Sequence, residues 1–147
     1  MRLKTRTDYC IRVLIYLQIN EGKARIQDIA DSYNISKNHL SVAVNKLSEL
    51  GYVISTLGPK GGIEFNKNYE HKSIGELVSQ VEGFEIVECF NPEKNTCSLN
   101  PKCKLKGMLN KATNAFLLEL KKHKIKDLVW VPLHLTTKLS LIEVVDK

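Results

Sequence analysis

The chain has 147 residues, 43% of them hydrophobic, and a formal net charge of +6 at pH 7. That length suits one domain or a small domain with an appended element, and no apolar segment approaches the ~20 residues needed to cross a membrane. Asp8 and Arg12 interrupt the N-terminal apolar stretch and no small-residue cleavage site follows, which predicts a cytoplasmic protein without a membrane partner.

Residues 1–72 have the pattern of a winged helix-turn-helix domain, which begins with three helices. Apolar residues at helical spacing predict the first helix over residues 7–20, with a face formed by Tyr9, Val13, Tyr16 and Leu17. A second helix is predicted over 25–33, and Ser36 is placed to cap a third helix beginning at Lys37. The inward stripe of the third helix consists of Leu40, Val44, Leu47 and Leu50. Gly51 is expected to end that helix as a C′ residue.

The opposite face of the third helix is available to read DNA, and the positive net charge favours such a polyanionic partner. Short polar amides can pair bidentately with adenine edges in the major groove. The candidate DNA-contacting residues are Asn38, Ser41 and Asn45, with Lys37, His39, Val42 and Lys46 at the margins of the face.

A hairpin wing is predicted after Gly51, from two short strands joined by the turn 58–62. The turn is rich in glycine, so its backbone can approach a phosphate or the minor groove, and Lys60 supplies charge there. An ordinary hairpin turn would have the same composition. The helix-turn-helix and the wing together favour DNA binding over a protein-interaction winged helix.

Residues 73–103 are predicted to form a short helix followed by a cysteine-bearing loop. Ser73 and Glu76 have the spacing of a capping box that opens the helix. Cys89, Cys97 and Cys103 follow on a segment that its Asn and Pro residues keep irregular. In a reducing cytosol, three clustered thiols are more often metal ligands or reactive thiols than disulfides.

The cysteine spacing favours an iron–sulfur cluster, while zinc and free redox thiols remain open as alternatives. Neither the seven-residue gap after Cys89 nor the five-residue gap after Cys97 has the CxxC form common in zinc sites. Clusters are held chiefly by thiolates and accept wider loops. A thiol enzyme would need an oriented base beside its nucleophile, and an electron carrier has no use for a recognition helix, so a non-enzymatic protein is expected.

A long helix is predicted over residues 104–126, with an apolar stripe suited to pairing with its copy in a homodimer. The stripe consists of Leu105, Met108, Leu109, Ala112, Phe116 and Leu120. Packing back onto the winged domain is the alternative, and the lysines along this segment also suit a solvated face. Residues 127–147 are expected to form a C-terminal extension. Their β-rich composition does not predict a particular structure.

Four segments together resemble the winged-helix iron–sulfur transcriptional regulators, nearest to those that respond to nitric oxide. They are TDYCIRVLIYL, NISKNHLSVAVNKLSELGYV, GPKGG and CFNPEKNTCSLNPKCKLKGMLNKA. The resemblance implies a mostly α fold with a small β wing, in a bacterial homodimer that represses promoters. It implies a cluster on Cys89, Cys97 and Cys103, with 4Fe–4S favoured and 2Fe–2S the alternative. Nitrosylation or loss of that cluster would release promoter DNA.

The resemblance also implies that Asp8 is the fourth cluster ligand, reaching across to the other subunit. The alternative is that Asp8 is only a helix N-terminal carboxylate favoured by the dipole. Cys10 lies about 200° around the helix from Asp8, so it is expected to be a buried core thiol. Cluster-assembly regulators of the family have a histidine where Lys106 stands, which argues against that subtype. The gap after Cys89 equals that of rhizobial iron regulators, so an iron-status or redox signal is the alternative to nitric oxide.

Overall fold

The structure, a computed structural model, describes residues 2–129 and is mostly helical with one two-stranded sheet among them. The described chain forms two compact units, one made of residues up to His71 together with those from Ile125, and the other made of Lys72–Lys124. The first unit contains α1 (Thr5–Ile19), α2 (Ile26–Ser32), α3 (Lys37–Glu49), β1 (Val53–Thr56), β2 (Gly62–Phe65) and two 3-10 turns (Lys67–Tyr69 and Ile125–Leu128). The second contains α4 (Ile74–Val81), a 3-10 turn (Glu88–Phe90) and α5 (Lys104–Lys121). These elements confirm the predicted winged-helix fold.

The core of the first unit is formed by the inward faces of α1 and α3. The buried residues of α1 are Thr7, Cys10, Val13, Leu14 and Leu17, and those of α3 are Leu40, Ala43, Val44 and Leu47. Tyr9 and Tyr16, which were predicted on the inward face, are only half-buried. The smaller Cys10 and Leu14 take the interior positions, while Tyr16 packs edge-on against Tyr33 with ring centroids 6.3 Å apart. The inward stripe is therefore rotated from the predicted one.

The ends of α3 and α4 show which capping predictions hold. Ser36 occupies the N-cap of α3, but its side chain accepts no capping hydrogen bond, so the predicted cap is wrong in its chemistry. Gly51 ends α3 with φ +85°, and a Cβ there would lie 2.7 Å from the hydroxyl of Tyr69. In α4, Ser73 Oγ accepts from Glu76 N at 3.1 Å, and Glu76 accepts from Ser73 N at 2.9 Å. The capping box is confirmed.

The wing is an antiparallel hairpin attached to the helical part of the first unit. Its register pairs Val53 with Phe65 and Thr56 with Gly62. Gly62 thus begins β2, where the prediction had included it in the turn. A second bridge joins Ile63 to Ala24, in the segment before α2. The wing is fixed at its base and exposed at its tip.

The second unit is a pair of helices connected by the cysteine loop, defined as residues 82–103. Gly75 of α4 lies against the α5 backbone, since a Cβ there would be 2.7 Å from Lys121 N and 2.8 Å from Leu117 O. At the start of the loop, the rings of Phe84 and Phe116 are 6.2 Å apart in a T-shaped contact. These contacts hold both ends of the loop at one helix pair.

No helix within residues 2–129 is long and apolar enough to span a membrane. The expected C-terminal extension begins in the 3-10 turn Ile125–Leu128, where Ile125 is buried. The rest of that extension, from residue 130 onward, lies outside the described residues.

Candidate nucleic-acid interface and cysteine loop

The outer face of α3 presents most of the predicted DNA-contacting residues to solvent. The exposed members are Lys37, Asn38, His39, Val42 and Asn45. Val42 is 54% exposed, a high value for an apolar side chain on a helix that packs into a core. Exposed amides beside an exposed methyl-bearing side chain match the donors, acceptors and thymine methyl of a major groove. The face has the chemistry of base reading.

The two remaining α3 candidates are already engaged within the chain. Ser41 Oγ donates to the carbonyl of Lys37 at 2.8 Å, which occupies its hydroxyl proton. Lys46 Nζ lies 2.8 Å from a Glu49 carboxylate oxygen and is half-buried. Ser41 can still accept a hydrogen bond from a base, whereas Lys46 must leave Glu49 or share its charge. Their sequence-predicted role as DNA contacts stays a prediction.

The wing tip adds a cation and an apolar side chain outside the helix-turn-helix. Lys60 is exposed on the turn that connects β1 and β2. Leu57, at the start of the same turn, is 96% exposed. Sequence reasoning identified Lys60 but missed Leu57, because a single leucine beside a strand is normally assigned to the core. A protruding wing with one cation can contact a phosphate beside the groove that α3 reads.

The three loop cysteines lie at structurally different positions. Cys89 is in the 3-10 turn Glu88–Phe90, Cys97 is in irregular loop, and Cys103 occupies the N-cap position of α5. All three are free and half-buried. The N-terminus of a helix favours negative charge, which suits a thiolate ligand at Cys103.

Hydrogen bonds from side chains in the loop give the loop its shape. One carboxylate oxygen of Glu88 accepts from both Thr96 N, at 3.2 Å, and Thr96 Oγ1, at 2.8 Å. Asn100 Oδ1 accepts from Lys106 Nζ at 3.0 Å. The amide of Cys97 donates to Asn95 Oδ1 at 3.2 Å. None of these contacts was predicted, since they follow from no periodic pattern in the sequence.

The donor set of the loop fits a thiolate-held cluster by its chemistry, although the thiols are not gathered into a closed metal site. Within residues 2–129, no group of three His, Cys, Asp or Glu side chains lies close enough to hold a metal ion. Three soft, unpaired, partly accessible thiols on one irregular segment are what cluster ligation requires. Lys106 is cationic and bound to Asn100, so it does not replace a histidine ligand. The assignment of Cys89, Cys97 and Cys103 as ligands stays a prediction.

Asp8 is held in the first unit by a chain of contacts that leads to the turn before α3. Arg12 Nε lies 3.0 Å from Asp8 Oδ2, and both side chains are about half-exposed. The Arg12 guanidinium also lies over the Tyr33 ring, 5.8 Å from its centroid, and Tyr33 Oη donates to the Arg12 carbonyl at 3.2 Å. Burial raises the pKa of Tyr33, so its hydroxyl remains a donor at neutral pH. Sequence reasoning missed the contribution of Tyr33.

Cys10 is confirmed as a core thiol and is chemically unlike the loop cysteines. Its side chain has no exposed surface, and its Sγ donates to the carbonyl of Ala43 at 3.6 Å. Burial raises the pKa of Cys10 from 9.0 to about 12, so the thiol stays protonated at physiological pH. A protonated, enclosed thiol is a poor metal ligand and a poor nucleophile.

The outer surface of α5 leaves large apolar residues uncovered in the single chain. Leu105 is 58% exposed, Met108 63% and Leu118 61%. Ala112 and Ala115 are also exposed, while Leu109, Phe116 and Leu120 are half-buried. Among the α5 residues only Thr113 is buried. The predicted stripe is thus divided between packing on α4 and an uncovered apolar surface.

Comparisons with known proteins give a consistent family assignment. The family model described as "Rrf2: Iron-dependent Transcriptional regulator" matches residues 3–130. The chain is 45% identical over 143 residues to the HTH-type transcriptional regulator NsrR of Bacillus licheniformis, covering 95% of this chain and 100% of that protein. It is 45% identical over 132 residues to the NsrR of Bacillus subtilis, covering 88% and 90%.

Solved structures agree on the fold. The oxidized form of Staphylococcus aureus CymR superposes with a TM-score of 0.69 at 23% identity, covering 90% of this chain and 99% of that one. The IscR of T. potens gives a TM-score of 0.63 at 19% identity, covering 86% and 85%. At these identities the likeness concerns the winged-helix architecture alone.

Proposed function

Because this chain belongs to the Rrf2 family of transcriptional regulators, we propose that it is a cytoplasmic repressor that binds promoter DNA and senses nitric oxide through an iron–sulfur cluster. Members of that family are DNA-binding regulators and not enzymes. The observation that carries the proposal is the joint presence, in one chain, of an exposed α3 face and a three-thiol loop. The regulators named NsrR, at 45% identity over most of the chain, support it.

DNA binding is assigned to the α3 face and the wing of each subunit. The exposed amides of Asn38 and Asn45 are suited to adenine edges, and Val42 to a thymine methyl. Lys37 and Lys60 carry charge toward the phosphates on either side. A two-fold dimer would place two α3 helices in successive major grooves, about 34–36 Å apart.

Dimerisation is assigned to α5. Its uncovered surface combines Leu105, Met108 and Leu118 with the small Ala112 and Ala115, which permit close helix approach. Burying such side chains against a copy removes them from water at about 25 cal/mol per Å². An isologous helix pair also supplies the symmetry that a palindromic operator requires.

The cluster is assigned to Cys89, Cys97 and Cys103, with Asp8 of the other subunit as the fourth ligand. We favour the 4Fe–4S form over 2Fe–2S. When bound, the cluster would supply iron able to react with nitric oxide, and a carboxylate in place of a fourth thiolate would leave one iron more open to attack. Two residues of the chain, Arg12 and Tyr33, would be affected if Asp8 bound a cluster. Arg12 would share the Asp8 carboxylate with the cluster or lose its ion pair with Asp8. The Arg12 guanidinium in turn lies over the Tyr33 ring.

That chain of contacts provides a route from the ligand to the recognition helix. Tyr33 immediately follows α2 and precedes the turn that leads into α3. A change in the Arg12 side chain alters the cation that lies over the Tyr33 ring and therefore biases the start of α3. Loss of the cluster from Asp8 would in this way lower DNA affinity.

An iron-status signal is the second candidate. The family description names iron dependence, and the seven-residue gap between Cys89 and Cys97 suits it equally well. Both candidates use the same cofactor, so they differ in what removes or modifies it.

The deciding experiment begins with the iron, acid-labile sulfide and zinc content of protein purified without oxygen. Near-stoichiometric iron and sulfide support the cluster. Promoter affinity is then measured before and after nitric oxide, and in parallel after an iron chelator. Release by nitric oxide at intact iron supply supports the first candidate, and release only by the chelator supports the second. Zinc, or no metal, would overturn both.

A further inference from the structure

Two side-chain contacts constrain the chain between the loop cysteines. The Glu88 tie is the pair of hydrogen bonds from Thr96 N and Oγ1 to one Glu88 oxygen, at 3.2 and 2.8 Å. Glu88 directly precedes Cys89, and Thr96 directly precedes Cys97. The tie therefore links the residue before the first thiol to the residue before the second.

The Lys106 tie acts on the second interval. Asn100 lies between Cys97 and Cys103, and its Oδ1 accepts from Lys106 Nζ at 3.0 Å. Lys106 belongs to the first turn of α5, which starts just after Cys103. A turn in which Asn100 N donates to the Cys97 carbonyl at 3.3 Å shortens the same interval. The segment is thus anchored to the helix that carries the third thiol.

These ties act on the backbone rather than as ligands. The Glu88 oxygen is taken by two donors from one residue, and Lys106 is a cation with no lone pair to offer. An untied loop of this length would have to lose much of its conformational freedom before three thiols could meet on iron. Ordering it beforehand lowers that cost, which is the general benefit of preorganisation.

We propose that Glu88 and Lys106 are positioning residues that preset the cysteine loop, so that before a cluster is inserted Cys89, Cys97 and Cys103 have less far to move toward one another than in an untied loop. The proposal deepens the function proposed above and depends on it for the identity of the cofactor. Its core, that the ties bring the thiols closer than an untied loop would, concerns the cluster-free chain and is tested there first.

The first test uses cluster-free, full-length protein. Glu88→Ala is compared with Glu93→Ala, which removes an equal charge from an exposed position of the same loop. Hydrogen exchange of the Thr96 amide reports the tie itself. The yield of a disulfide between Cys89 and Cys97 in a glutathione redox buffer reports how close the thiols are held. Each disulfide formed reduces one oxidised glutathione to two glutathione molecules, so the equilibrium gives an effective thiol concentration.

Glu88→Ala is expected to speed Thr96 exchange and to lower the effective thiol concentration by about three- to tenfold, the range that one or two hydrogen bonds supply. Glu93→Ala should change neither. Thr96→Val, which deletes only the hydroxyl donor, should give a smaller change in the same direction. Faster exchange at an unchanged thiol concentration would overturn the proposal, because the tie would then order the loop without gathering the thiols.

The second test uses cluster-loaded protein and the other tie. Lys106→Met is compared with Lys104→Met, an exposed lysine on the same helix turn. Iron release to an excess of chelator should be about three- to tenfold faster for Lys106→Met only. Equal release rates for the two variants would remove Lys106 from the proposal. If wild-type protein contains no iron and sulfide, the proposed function fails, whereas the cluster-free measurements still decide whether the ties gather the thiols.

Discussion

The helical part of the first unit and the cysteine loop treat the same residue type in opposite ways. Cys10, on a periodic helix, is fully buried, donates to Ala43 and has its pKa raised to about 12. Cys89, Cys97 and Cys103, on an irregular loop, are half-buried and free. The reactivity of a thiol is thus decided by the element that carries it. The packed helix keeps Cys10 protonated and inaccessible, whereas the irregular loop leaves the other three thiols partly accessible.

Replacing one cysteine of each region by alanine tests that contrast most strongly. Cys97→Ala should abolish cluster-dependent promoter binding, a loss on the order of a thousandfold, the lower end of the range between specific and non-specific DNA binding. Cys10→Ala should retain the cluster and the promoter affinity. Affinity is measured by titration at several salt concentrations. A Cys97→Ala protein with wild-type affinity and salt slope would contradict cluster gating.

The free energy of unfolding should depend on the core of the first unit far more than on the cysteine loop. Leu14 has no exposed surface in the core, so Leu14→Ala should lower the free energy of unfolding by about 2–5 kcal/mol. Leu99 in the cysteine loop is 66% exposed, and Leu99→Ala should change it by less than ~0.5 kcal/mol. Urea unfolding followed by circular dichroism compares the two. Similar losses would mean that the loop is part of the core.

Two variants within the first unit distinguish base reading by the α3 face from phosphate contact by the wing. Asn45→Ala should cost about 1–3 kcal/mol on the preferred operator and relax the preference for one base pair. Lys60→Ala should weaken all sequences alike and reduce the salt slope by ~1. Binding to operators with single-base changes measures both effects. Uniform weakening by Asn45→Ala would reassign that residue to phosphate contact.

Asp8 sharpens the comparison because it lies on α1 but is proposed to serve the cysteine loop of the other subunit. Asp8→Ala should change the rate of cluster reaction with nitric oxide on the order of tenfold, as removing groups at metal sites does. Asp31→Ala, which removes an exposed helical carboxylate of α2, is the control. Stopped-flow absorbance gives the rates. If Asp8→Ala reacts as the wild type does, Asp8 is a helix-terminal carboxylate and nothing more.

The last comparison concerns Cys10 and the pH dependence of stability. Its pKa is raised from 9.0 to about 12 on folding, so the folded state favours the protonated thiol. The corresponding stabilisation is complete below pH 9 and is lost progressively as the pH rises toward 12. From pH 8 to pH 10, the wild type should lose ~1.4 kcal/mol more free energy of unfolding than Cys10→Ala. Parallel pH profiles for the two proteins would show that the thiol is less enclosed than described.

The sequence predicted the regular elements far better than the loop, for physical reasons. The bounds of α3 and the wing strands follow from apolar periodicity and from Gly51, which act locally. The inward face of α1 was placed too near Tyr9 and Tyr16, since periodicity does not say which of two adjacent apolar stripes the tertiary fold will bury. The Ser36 cap failed because a suitable residue type at the N-cap does not fix its rotamer.

The loop contacts could not have been predicted in the same way. The Glu88 tie joins residues eight positions apart with no repeating pattern between them. The density of the three cysteines in the sequence made them recognisable as a group. It did not show how the chain between them folds. The contact between Arg12 and Tyr33 likewise depends on the packing of two helices and not on either segment alone.

The close approach of α4 to α5 at Gly75 has a consequence for how such a regulator can change over evolutionary time. Because both ends of the cysteine loop are fixed at this helix pair, the segment between them can lengthen or shorten without disturbing the frame. Doubling a flexible loop costs only ~0.6 kcal/mol in closure entropy. Insertions that alter cysteine spacing therefore leave this frame intact and cost mainly the Glu88 or Lys106 tie, so the loop can change while the DNA-reading half is inherited unchanged.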